Sequence, residues 1–227
     1  MQTLIERVAI LLIVIVCFSS CEKEVKQNET NQTTDLQNRN ESIINELIKE
    51  ATNEIGEKEF KTVGEVQTVP FVDLDRYVGQ WYELAKFPTQ FGQGCACTRA
   101  EYAQIPGGVS VFNSCTLPDG SPLLINGRAV VVDAESNSKL QVFLGPIPFP
   151  GDYWIIDLVG KNKNKPYEFA VVSDPDRENL FILSRTPQIE NTKQRKAILS
   201  ILINLIFQGY DLSKLEITPQ PENCIYP

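Results

Sequence analysis

The chain has 227 residues, with 29 acidic and 21 basic side chains and no histidine. The net charge of −8 argues against a nucleic-acid partner. The lack of histidine removes the commonest general base and a frequent zinc ligand.

In chain order, the first element is an eleven-residue apolar run, Val8–Phe18. A membrane-spanning helix needs about 20 residues, so the run has the length of a signal-peptide core instead. Residues 1–20 read as a signal peptide. Phe18-Ser19-Ser20-Cys21 resembles the lipobox of bacterial lipoproteins, with small residues before an acceptor cysteine. The resemblance implies cleavage before Cys21 and its modification with long acyl chains such as palmitate. Glu22 follows the cysteine, and nothing there suggests retention at an inner membrane. The expectation is an outer-membrane lipoprotein, the leaflet left open.

Residues 21–65 are rich in Glu, Asn, Gln, Thr and Lys and read as a flexible acidic tether. One stretch inside it is periodic. Ile43, Leu47, Ala51 and Ile55 recur at four-residue spacing with Ile44 and Ile48 alongside, which is the apolar stripe of a short helix. Such a helix is marginal by itself. Whether it docks on the folded domain, docks on a partner or forms only transiently stays open.

From residue 66 the pattern changes to short alternating segments. Strands are predicted near 78–87, 98–105, 109–116, 123–133, 139–144, 152–159, 167–173 and 179–185. Pro106-Gly107-Gly108 and Pro118-Asp119-Gly120 supply turn chemistry between them. A helix is predicted over Glu190–Gln208, with Gly209 as its stop and a short strand at Lys214–Ile217. The fold class is therefore all-β: an eight-stranded antiparallel up-and-down barrel, 66–227, with one C-terminal helix packed outside.

Gly79-Gln80-Trp81-Tyr82 opens the first strand, and Ser184-Arg185-Thr186-Pro187 closes the last. Barrel closure can bring these ends together, with the Arg185 guanidinium on the Trp81 indole, a contact of about 0.5–2 kcal/mol. The two motifs, joined to Pro175-Asp176-Arg177 and Leu183-Ser184-Arg185-Thr186-Pro187, resemble the lipocalin family, in particular its bacterial outer-membrane members and their apolipoprotein D-like relatives. The resemblance covers about 71–224. It implies a ligand-holding calyx with Gly79, Trp81 and Arg185 as structural closure. The family's Thr-Asp-Tyr signature is absent, and a longer turn, Gly160–Pro166, stands in its place.

Four cysteines remain for the exported domain, and an even number in an oxidising compartment reads as two disulfides. The resemblance implies Cys97–Cys224, which leaves Cys95–Cys115; the exchanged pairing, Cys97–Cys115 with Cys95–Cys224, stays open. No metal is expected, because the cysteines lack paired C-x-x-C spacing.

Alternation sets the expected lining. With Arg99 and Glu101 facing water, Thr98, Ala100 and Tyr102 turn inward. With Gln141 outward, Leu140, Val142 and Leu144 turn inward. With Asp157 exposed, Trp154 and Ile156 turn inward. Asn113 aligns with a pocket-facing asparagine of related lipocalins, although a shorter preceding hairpin leaves it interchangeable with Phe112. Tyr102, Asn113 and Gln104 are the polar groups of an otherwise apolar cavity, which suits a fatty acid, a lysophospholipid or a similar molecule whose polar end stays near the mouth. Ile147 and Phe149 are expected exposed at a loop, where they rim the mouth, touch a membrane or a second copy, or simply stiffen the loop. A binding protein without cofactor is the expected function, and dimerisation is left open. The alternatives are a surface scaffold with a filled barrel and, on Cys95-Ala96-Cys97 alone, a de-epoxidase-like enzyme.

Overall fold

The computed structural model describes residues 39–56, 64–89, 92–145, 147–160 and 162–226. Cys21, the signal segment and the first part of the tether lie outside the described residues. Helix α1 spans 39–55, and the short helix α2, Leu74–Tyr77, leads into the barrel. The strands are β1 Gly79–Lys86, β2 Ala96–Ile105, β3 Gly108–Thr116, β4 Pro122–Val131, β5 Lys139–Leu144, β6 Gly151–Val159, β7 Phe169–Ser173 and β8 Leu180–Ser184. Each pairs antiparallel with the next, and β1 also pairs with β8, so eight strands close on themselves. Closure leaves no open barrel edge.

Helix α3, Thr192–Phe207, packs outside. Its start is a capping box: Asn191 accepts from the Gln194 backbone, and the Gln194 side chain accepts from the Asn191 backbone. Its end is a Schellman turn. Gly209 takes φ +82°, which glycine tolerates without strain, while Tyr210 N–H donates to the Leu205 carbonyl and Gly209 N–H to that of Ile206.

Helix α1 lies on the same outer face. Ile44, Leu47, Ala51 and Ile55 are buried in one cluster with Ile198, Ile201, Leu202 and Leu205 of α3 and with Phe169, Val171 and Ile182 of the barrel wall. Asn40 Nδ2 donates to the Pro187 carbonyl at 2.8 Å, and Asn40 Oδ1 accepts from Ile189 N–H at 3.0 Å. Arg195 on α3 reaches Glu46 at 2.8 Å. The folded body therefore takes in 39–55, which composition assigned to the tether. A helix too short to stand alone is held by burying its stripe.

The barrel is pinched at one end and open at the other. At the closed end Trp81 is fully buried, and the Arg185 guanidinium lies 3.7 Å from its ring centre. Arg185 also donates to the carbonyls of Gln80, Arg76, Tyr77, Val78 and Tyr167, gathering the end of α2 against β1. Gly79, at φ +96°, leaves room for it, since a Cβ there would sit 3.4 Å from the guanidinium. The longer turn after β6 docks here too: Arg76 donates to the Gly160 and Lys165 carbonyls and stacks 4.0 Å from the centre of the Tyr167 ring.

At the open end β1 parts from β2. Its lower half pairs with β2 through Tyr82, whereas its top pairs with a two-residue strand, β9 Glu216–Ile217. The C-terminal segment then runs along the gap. Thr218 N–H bonds to Leu84, the Pro219 carbonyl accepts from Cys97 N–H, and Gln220 Nε2 spans the Glu83 and Thr98 carbonyls at 3.0 and 2.6 Å. Disulfide Cys97–Cys224 pins this strap, and Cys95–Cys115 ties the start of β2 to β3.

Candidate functional site

The interior above Trp81 holds a cavity of about 590 Å³, opening between the β1–β2, β5–β6 and β7–β8 loops. Its walls come from the inward positions of the strands. Tyr102 and Ala100 (β2), Asn113 and Val111 (β3), and Val142 and Leu144 (β5) all line it. At the mouth Ile147 and Phe149 line it as well, and Phe149 is 77% exposed. Gln104 lies exposed beyond the cavity, because β2 runs past the floor before it ends.

Two expected lining residues are elsewhere. Trp154 and Ile156 pack in the outer cluster against the helices, and Tyr153 and Ile155 point inward instead. The cause is a β-bulge. Ile155 pairs with Val172 and Asp157 with Val171, so Ile156 is an extra residue with no partner on β7. Asp157 does face outward, where its carboxylate accepts from Asn204 Nδ2 of α3 at 3.0 Å. Strict alternation from Asp157 then assigns the wrong face to everything before the bulge.

Sequence reasoning also missed the charges inside. Alternation on β1 that carries Trp81 inward carries Glu83 inward too, and that was the available signal. Glu83 and Lys86 both border the cavity, 3.7 Å apart and largely buried. Glu83 accepts from Thr218 Oγ1 of the strap at 2.6 Å, and Lys86 Nζ donates to the Gly92 carbonyl at 3.2 Å. Burial pushes the Glu83 carboxyl above its usual range, while Lys86 and the Thr218 hydroxyl pull it back.

The floor is a chain of three phenols. Tyr77 and Tyr153 hydroxyls meet at 2.6 Å, and Tyr153 donates to Tyr102 at 3.2 Å. The Tyr77 and Tyr102 rings stack with centroids 5.8 Å apart. Burial raises all three phenols, Tyr102 to about 12, so they are neutral hydrogen-bonding groups at any physiological pH. Among the described residues no group of His, Cys, Asp and Glu is arranged to hold a metal ion.

The site thus combines a largely apolar pocket, one wall carrying an ion pair, and a phenolic floor. Comparison with known proteins agrees with the architecture. Insecticyanin from the tobacco hornworm Manduca sexta has the same fold, at TM-score 0.54 and 22% identity over 71% of this chain and 87% of that one. Temperature-induced lipocalin-1 of Arabidopsis thaliana is 35% identical over 70% of this chain and 84% of its own. Outer membrane lipoprotein Blc of Escherichia coli K12 is 35% identical over 69% and 84%, and mouse apolipoprotein D 30% over 67% and 78%. The family model for a lipocalin-like domain matches residues 72–220, from just before α2 to the strap, and the chain belongs to the lipocalin family.

Proposed function

We propose that this protein is an outer-membrane lipoprotein, anchored through acylated Cys21, whose calyx takes up a small hydrophobic molecule such as a fatty acid or lysophospholipid. The observation that carries the reading is the cavity of about 590 Å³, within the range of ligand pockets, walled by aliphatic side chains and closed below by Trp81 and the phenols. Burying about ten methylenes there contributes about 8 kcal/mol before the cost of ordering the chain. Tyr102, Asn113, Val142 and Leu144 are the contacts, joined by Tyr153 and Leu183. The anchor rests on the lipobox-like Phe18–Cys21 and on the similarity to a protein named as an outer membrane lipoprotein. We read the site as non-catalytic because its acid–base pair is tied into the wall, Glu83 to the strap and Lys86 to the Gly92 carbonyl.

Native mass spectrometry tests this on residues 22–227, exported so that the disulfides form, followed by denaturing extraction. The expected result is a stoichiometric lipid identified by mass. An empty protein that also refuses added palmitate and lysophospholipid would sink the carrier reading and favour a scaffold.

A further inference from the structure

The phenol chain at the floor has one proton too many for its own bonds. Three hydroxyls bring three protons, and the two links among them use two. With Tyr153 donating to Tyr102, Tyr77 donates to Tyr153, and the Tyr102 proton meets no acceptor among the described residues. Tyr77 is sealed beneath the cavity beside Trp81, whereas Tyr102 faces into it. Because burial keeps the phenols neutral, that proton is not shed to solvent.

A second group of opposite sense stands close by. Asn113 Oδ1 is buried without a hydrogen-bond partner and borders the same cavity. On the β2–β3 pair Tyr102 is opposite Val111 and Ala100 opposite Asn113, so Tyr102 and Asn113 are diagonal neighbours on the inner face. Diagonal side chains of this length can contact one common small group. Buried polar groups cost free energy when left unmet, so a ligand that meets both is favoured over one that meets neither.

We propose that Tyr102 and Asn113 form a subsite for a ligand hydroxyl, and that the ligand is an apolar alcohol that enters hydroxyl first. Its oxygen accepts from Tyr102 and its proton is donated to Asn113 Oδ1, while the hydrocarbon body lies along Val142, Leu144 and Leu183 towards the mouth. This rests on the carrier reading and reverses the orientation expected from sequence, in which the polar end stays at the entrance.

The test uses two probes of equal shape, 2-(2-naphthyl)ethanol and 2-propylnaphthalene, which differ by a terminal hydroxyl in place of a methyl. Each displaces N-phenyl-1-naphthylamine from the disulfide-bonded protein (residues 22–227), and the ratio of their dissociation constants cancels any loss common to both. Tyr102→Phe and Asn113→Leu are each expected to shift that ratio against the alcohol by about fivefold, the value of one net hydrogen bond. A ratio unchanged in both variants, with the probes still bound, overturns the hydroxyl subsite and leaves the carrier standing. If the unaltered protein binds neither probe nor N-phenyl-1-naphthylamine, the subsite falls, and the carrier reading falls with it only when palmitate and lysophospholipid are refused as well.

Discussion

Trp81 and Glu83 stand two residues apart on β1 and point the same way, yet they play opposite parts. Trp81 is satisfied where it lies: its Nε1–H bonds to the Tyr77 carbonyl at 2.8 Å and Arg185 covers its face. Arg185 pays in solvation, and burial lowers its guanidinium to about 10, which still leaves it charged at neutral pH. Glu83 is a carboxyl held in a place that disfavours its charge. Its folded state binds a proton more tightly than the unfolded chain, so between the ordinary value of 4.5 and the raised one the native protein holds more protons. The stability tied to this group is fully present below pH 4.5 and is lost as pH rises through the raised value. Melting curves from pH 4 to pH 8 for the native protein and Glu83→Gln give the check. The native melting temperature should fall relative to the variant across that window. A constant difference would mean that the carboxyl titrates normally and that Lys86 compensates its burial fully.

At the scale of elements, the bulges decide the site. The one at Ile156 turns Tyr153 to the floor and Trp154 to the outer face, where Lys139 lies 4.1 Å from the centre of its ring. Another, between Glu83 and Ala85 on β1, lets Leu84 and Ala85 join the outer cluster. Helix α1 shows the same dependence on packing. Its stripe was plain in sequence, but α3 and the barrel wall supply the surface that holds it. Leu47→Ala should cost about 2–4 kcal/mol in denaturant unfolding, the range for a buried leucine. A loss near zero would show α1 detached in solution.

For the molecule as a whole, the barrel relies on its C-terminal strap. β1 cannot follow β2 to the mouth, and Thr218 and Gln220 fill the place of a continuous ladder with side-chain bonds to Glu83 and Thr98. Cys97–Cys224 secures that strap across a sequence separation of 127 residues, the kind of long loop whose closure restricts the unfolded chain most. Replacing both cysteines by alanine should lower stability by about 2–4 kcal/mol. Calorimetry of the exported double variant would detect it, and an unchanged transition would assign the strap's hold to hydrogen bonds alone.

Much of this was already set by the order of residues. Eight alternating segments with turn residues between them, Trp81 and Arg185 at the two ends of the run, and a capped amphipathic helix make a closed barrel with one helix outside, because these are local periodicities and each residue carries its own preference. The inward placing of Tyr102, Asn113, Val142 and Leu144 follows from simple alternation and from the likeness to related chains. The tertiary structure alone decided the rest. A bulge is an unpaired residue defined by its partner strand, so no count along β6 reveals that Ile156 is extra. The phenol chain joins residues 77, 102 and 153, from α2, β2 and β6, and the Glu83–Thr218 bond joins the first strand to the strap. Those contacts depend on distances between elements, which one-dimensional spacing does not contain.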